Sequence, residues 1–135
     1  HLAIPVKNLT KAKKFYVNTL GCSIGRSNKN WIDFNFFGHQ LVGHLVSKND
    51  TNTSTNHVDG EKVPSRHFGL VMNIDSWEKL VDKLIDINID FLIKPQTRFK
   101  GSAGEQSTFF IMDPFNNALE FKAFENDSQI FFTDK

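Results

Sequence analysis

Apolar and polar positions along this chain follow one order and then repeat it. His1 to Val6 is a short apolar run that reads as a strand. Ala12, Phe15, Tyr16 and Val17 then fall on one face of a helix that Thr10 can cap and that extends to about Leu20. Gly21 is placed to end that helix in a left-handed conformation. Three strands are predicted next, Cys22–Arg26, Trp31–Phe37 and Gln40–Val46, the last two joined by a tight hairpin at Gly38-His39. Residues 47–62 are polar with no hydrophobic period, which predicts a loop or linker closed by Pro64.

The same order then restarts. His67–Asn73 reads as a strand, and Asp75 with Glu78 forms a capping box for a helix reaching about Ile87. Strands follow at Ile89–Phe99, Ser107–Met112 and Ala118–Phe124, with Asp113-Pro114 and Asn116-Asn117 turning the chain between the last two. Strand, helix, three strands is thus written twice, which is an internal repeat. HLAIPV at 1–6 aligns with HFGLVM at 67–72, each opening on histidine, and GHLV at 43–46 aligns with LEFK at 119–122. That alignment sets His44 opposite Glu120.

Composition narrows the class. The 135 residues have room for one ordinary domain or two very small modules sharing a core. A content of 39% apolar and 23% charged residues fits a soluble globular chain. Sixteen Lys plus Arg against 15 Asp plus Glu leave no field to attract a polyanion, so nucleic acid is not expected as a partner. No apolar run approaches a membrane span, and no signal-like stretch opens the sequence. The chain opens at His1 without a methionine, so residues ahead of it are expected. Cys22 is the single cysteine and reads as a small buried hydrophobe; a disulfide framework is excluded, and a reducing, cytoplasmic setting is expected. Fourteen Phe, several in pairs (36–37, 109–110, 131–132), suggest strands buried on both faces or an aromatic-walled cavity.

One carboxylate stands out. Side chains alternate along a strand, so Ala118, Glu120, Lys122 and Phe124 share a face in an apolar neighbourhood. An ionised carboxylate buried there without a partner would cost several kcal/mol. It therefore needs a cation, either Lys122 or a metal. Histidine and carboxylate from separate strands are the donors a catalytic first-row metal site uses, but their spacing here forms no local motif. His39 at a hairpin and His57 in the polar segment read as solvated. Arg26, Arg98 and Lys122 are cations that an anionic substrate could meet, and Tyr16 and Trp31 either line a site or pack.

HLAIPVKNLTKAKKFYVNTLGC, SRHFGLVM and FFIMDPFNNALEFKAF together resemble the vicinal oxygen chelate superfamily of glyoxalases, extradiol dioxygenases and antibiotic-resistance proteins. The resemblance spans essentially the whole chain, and its most specific piece is the Asp-Pro turn followed by a strand carrying glutamate. It implies an α+β fold of paired βαβββ modules, a curved, half-open barrel-like mixed sheet around a metal. Within one domain over 1–135, module one covers 1–46, a linker 47–64 and module two 65–135. It implies His1, His67 and Glu120 as ligands of a divalent ion, with His44 where some members place a fourth ligand. Fe(II) is favoured, with Zn, Ni or Mn also allowed by these donors. The expected partner is a small molecule, and a homodimer is allowed.

Three activities fit that resemblance. A dioxygenase-like oxidoreductase would use two histidines and one carboxylate, leaving room for O2 and an oxygen-chelating substrate. A glyoxalase-type lyase or epimerase would use the metal as Lewis acid. A non-catalytic antibiotic-binding protein would need no ligands at all, and this chain carries a full set. A second carboxylate beside the metal would ease proton shuttling, yet the matching position carries His44. The sequence reading therefore favours the oxygenase, with His44 off the metal as an acid or base.

Overall fold

A computed structural model describes residues 1–47, 55–58, 60–102 and 104–131, and divides the chain into two compact units. The first comprises His1–Ser54 with Asp113–Asn117, and the second Thr55–Met112 with Ala118–Lys135. In the first unit the elements run β1 (Leu2–Val6), α1 (Leu9–Lys13, continued as a π-helical stretch over Lys14–Thr19), β2 (Ser23–Ser27), β3 (Trp31–Phe36) and β4 (His39–Leu45). In the second, a hairpin of β5 (Thr55–Val58) and β6 (Glu61–Pro64) precedes β7 (His67–Met72), α2 (Ile74–Asp86), β8 (Phe91–Arg98), β9 (Gln106–Met112) and β10 (Ala118–Ala123). A short 3-10 turn follows at Asp127–Gln129.

The two four-stranded sheets have the same plan. Their orders are β1-β4-β3-β2 and β7-β10-β9-β8, so in each the first strand lies parallel to the last and the other neighbours are antiparallel. The fold is α+β, built of paired βαβββ units whose sheets are open. No helix among the described residues is long and apolar enough to cross a membrane.

Local chemistry shifts several boundaries from the sequence expectation. Asn8, not Thr10, caps α1, its side chain accepting from Lys11 N at 2.8 Å. Asn73, not Asp75, caps α2 through Ser76 N at 2.8 Å. Asparagine is at least as good a cap as threonine or aspartate, and each stands where the chain leaves its strand. Gly21 does adopt a positive φ, 81°. The β3–β4 turn is Phe37-Gly38 instead of Gly38-His39, because both residues hold positive φ (52° and 92°), as a two-residue hairpin of that hand requires. Phe37 is consequently exposed, while Phe36 is buried. Part of the polar segment expected to be irregular forms the β5–β6 hairpin; residues 48–54 and 59 lie outside the described residues, as does Phe132.

Aromatic packing follows from strand alternation. On β9, Phe109 and Phe110 point to opposite faces and are both buried, as a strand covered on both sides demands. Phe109 stacks on Phe121 at 5.2 Å and lies 5.7 Å from Trp77 of α2, whose indole N–H donates to Phe121 O at 2.9 Å. Pro95 is tolerated in β8 because that strand is a sheet edge with register shifts on either side of Ile93.

The first unit is pinned by Tyr16, which packs on Phe34 and donates to Asp113 Oδ2 at 2.9 Å. Asp113 also accepts from the backbone N–H groups of Phe115 and Asn117 and from Asn117 Nδ2, which reaches Pro5 O as well. The Asp-Pro turn is therefore a structural clamp on β1 and α1. Burial raises the Asp113 carboxyl, against the pull of its donors from Asn117, Phe115 and Tyr16. Burial first, and the facing Asp113 carboxylate second, hold the Tyr16 phenol protonated well above its ordinary range.

Unfolded tyrosine ionises near pH ~10, so above that pH the unfolded chain binds fewer protons than the folded one and stability falls. Tyr16 is the chain's single tyrosine. Tyrosinate absorbance should accordingly appear only as the protein unfolds. Tyr16→Phe should remove that part of the alkaline slope and cost about 1–3 kcal/mol at neutral pH, because Asp113 loses a donor. Tyrosinate appearing while the fold is intact would contradict this.

Candidate metal centre

In the second unit β7 and β10 bring His67 and Glu120 together. Their register pairs Gly69 with Glu120 and His67 with Ala118, so both side chains sit on the sheet face opposite Phe68, Leu119 and Phe121. His67 Nε2 and Glu120 Oε2 are 3.3 Å apart. Glu120 is buried, 7% exposed, and its other oxygen takes the Thr108 hydroxyl at 2.8 Å and lies 3.5 Å from Lys122 Nζ. Phe110, across from Glu120, walls the site with its ring 5.2 Å from that of His67.

The hydrogen bond on the far side of His67 fixes what it offers. His67 Nδ1 is 2.8 Å from Pro64 O. A carbonyl only accepts, so Nδ1 carries the hydrogen and the Nε2 of a neutral imidazole is a lone pair. That lone pair faces a carboxylate oxygen, and two acceptors at this distance call for a cation between them. A proton on the imidazole would serve, and so would a metal. Two donors each ~2.1 Å from one ion stand roughly 3.0–3.5 Å apart, which the observed separation matches. The residues present thus fit two ligands of a divalent ion, and Lys122 supplies the competing ion pair.

The first unit carries the other two sequence candidates. His1 and His44 lie on the same sheet face as Gln40 and Val42, His1 just ahead of β1 and His44 near the end of β4, both exposed. His44 sits opposite Trp31. Among the described residues no group of three or more His, Cys, Asp or Glu is gathered closely enough to hold an ion by itself.

The strand registers correct the alignment of the two repeats. Leu2 pairs with Leu41 as Phe68 pairs with Leu119, so with His1 matched to His67 the counterpart of Glu120 is Val42. The antiparallel neighbours then differ in chemistry, Val42 facing Asp33 where Glu120 faces Phe110. His44 falls two residues further on, matched to Lys122. LVGH at 41–44, and not GHLV at 43–46, is therefore the segment that matches LEFK at 119–122. The first module's carboxylate lies one strand over, at Asp33, which is 6% exposed.

Three residues near these side chains were not singled out from sequence. Thr108 orients Glu120 through its hydroxyl, while Gln40 stands beside His1 and Asp33 beside Gln40, with His1 Nδ1 2.8 Å from Gln40 Oε1 and Gln40 Nε2 3.2 Å from Asp33 Oδ2. Cross-strand register is the signal that finds them, and it depends on turn geometry more than on motif.

Paired βαβββ units with histidine at the head of the first strand and glutamate on the last define a class. The profile of the Glyoxalase/Bleomycin resistance protein/Dioxygenase superfamily matches residues 1–121, and the chain belongs to that superfamily. A solved glyoxalase/bleomycin resistance protein/dioxygenase from Alicyclobacillus acidocaldarius is 36% identical, with a TM-score of 0.82 over 98% of this chain and 94% of that one. The fosfomycin resistance protein FosX from Listeria monocytogenes, in complex with Mn(II) and sulfate, shares the fold at a TM-score of 0.69 and 15% identity, covering 96% and 91%. The integron cassette protein HFX_CASS4 from Halifax Harbour sewage outfall does so at 0.64 and 21%, covering 90% and 94%. No curated protein matches the chain.

Proposed function

We propose that the protein is a metal-dependent enzyme acting on a small, anionic, oxygen-chelating substrate, with His1, His67 and Glu120 as metal ligands. The observation that carries this is the His67 Nε2 lone pair facing Glu120 Oε2 at 3.3 Å, which calls for a cation. Lys122, a third exposed on the same strand face, adds a positive charge suited to an anionic group.

The preferred reaction is that of a dioxygenase. Val42 in place of a second carboxylate supports a donor set of two histidines and one carboxylate, the set that suits Fe(II) and leaves open positions. His44, exposed and two residues beyond Val42, then acts as an acid or base and not as a ligand. A second reading is Lewis-acid chemistry of the glyoxalase, epimerase or lyase type under Ni(II), Zn(II) or Mn(II), with His44 as base; the fold shared with the fosfomycin resistance protein FosX adds fosfomycin to the compounds to be tested. A homodimer is compatible with both readings.

The test loads the protein anaerobically with Fe(II) and screens catechols and 2-oxo acids for O2 uptake. Uptake should be lost in His67→Ala and only reduced in His44→Ala. No uptake, together with isomerisation of a thiol–aldehyde adduct or consumption of fosfomycin under the other metals, would transfer the assignment to the second reading.

A further inference from the structure

In the first unit, His1, Gln40 and Asp33 form a chain of hydrogen bonds that no part of the function above requires. Asp33 lies on β3 with its carboxylate nearly buried, and Arg26 Nε from β2 approaches Oδ2 at 3.5 Å. Gln40 Nε2 donates to that same oxygen, and Gln40 Oε1 meets His1 Nδ1. An amide can be turned either way, but a carboxylate only accepts. The Gln40 NH2 must therefore face Asp33, which leaves its carbonyl facing His1. A carbonyl also only accepts, so His1 Nδ1 must carry the ring hydrogen.

We propose that Asp33 and Gln40 are positioning residues that lock His1 as the Nδ1–H tautomer, presenting the Nε2 lone pair to a metal. The relay rests on the metal-site reading above only for its purpose, not for its existence. It makes His1 chemically equivalent to His67, whose Nδ1 is held by the Pro64 carbonyl. The two modules reach one tautomer by different means, a backbone carbonyl in the second and a side-chain amide aimed by a buried carboxylate in the first. His1 and Gln40 are exposed, so the orientation comes from the buried Asp33 and not from close packing. Hydrogen-bond partners of this kind, one shell out from a metal ligand, typically change metal affinity 10–100-fold.

The test reads the tautomer directly, by nitrogen NMR of histidine-labelled, metal-free protein with neutral imidazole, the His1 signals being assigned with His1→Gln. Wild type should show Nδ1–H. Gln40→Leu and Asp33→Asn should yield a mixture, whereas Gln40→Glu, whose carboxylate still accepts, should retain Nδ1–H. Calorimetry with Zn(II) should find affinity about tenfold weaker in Gln40→Leu. An Nε2–H tautomer in wild type, or one unmoved by Gln40→Leu and Asp33→Asn, would overturn the relay. A tautomer that shifts while Zn(II) affinity does not would overturn its role toward the metal. Failure of the wild type to bind any divalent ion would sink the metal reading alone, since the NMR result still decides the relay.

Discussion

Gly69→Ala is expected to destabilise the second unit by at least about 3 kcal/mol, enough to deplete folded protein at ambient temperature. A Cβ on Gly69 would collide with the backbone carbonyl oxygen of Glu120 and come within 2.6 Å of its carbonyl carbon. Main chain in a paired strand cannot step aside without breaking the β7–β10 ladder, so the clash cannot relax as a side-chain clash would. Gly43→Ala is the internal comparison. Its added methyl meets only Val6 and Ile32 side-chain atoms, the nearest at 3.2 Å, and should cost less than about 1.5 kcal/mol. Equilibrium urea unfolding of both variants measures the difference. Equal losses would mean that β7 and β10 do not approach as described. The position matched to Gly69 in the first module is Ala3, which already carries a Cβ, so close approach belongs to the strand pair that holds the carboxylate and not to the fold in general.

That contrast shows where sequence reading succeeded and where it stopped. The repeat was legible because hydrophobic period switches from strand to helix to strand twice, with Gly21 and the polar stretch after Val46 as punctuation. Glu120 was legible because a carboxylate at an apolar strand position must find a cation, and Lys122 stands 3.5 Å from it, with the Thr108 hydroxyl donating to it and His67 alongside. The counterpart of Glu120 in the first module was not legible. It depends on the parallel β1–β4 register, which sets Leu41 beside Leu2, and no local motif reports how two strands so far apart in sequence pair. The caps failed for a related reason. Asn8 and Asn73 compete with nearby Thr10 and Asp75 at similar cost, and the winner is set by where the preceding strand lets go. Asp113 shows a third limit, because the Asp-Pro signature marks a clamp whose partner, Tyr16, is distant in sequence.

Glu120→Gln is the second large effect, and it separates a metal ligand from an ion-pair partner. The glutamine keeps the shape, and its carbonyl can still accept from Thr108 and Lys122. Its amide can donate to the lone pair of His67, so every contact in the second unit has a neutral substitute. Folding stability should therefore change by no more than about 1 kcal/mol. Divalent-metal affinity, in contrast, should fall by at least about a hundredfold, since the only anionic donor of the proposed set is gone and partners one shell out are alone worth up to that much. Stoichiometric metal retained by purified Glu120→Gln would mean that Glu120 serves Lys122 and His67 as a structural ion pair. Mixing this variant with His1→Ala tests whether one chain supplies all three proposed ligands. If His1 of one copy joined His67 and Glu120 of another, a mixed dimer would rebuild one intact site and recover about half of the sites it contains. If all three ligands came from a single chain, both variants would stay impaired in any mixture. Titrating one into the other while following bound metal distinguishes these outcomes without reference to the substrate.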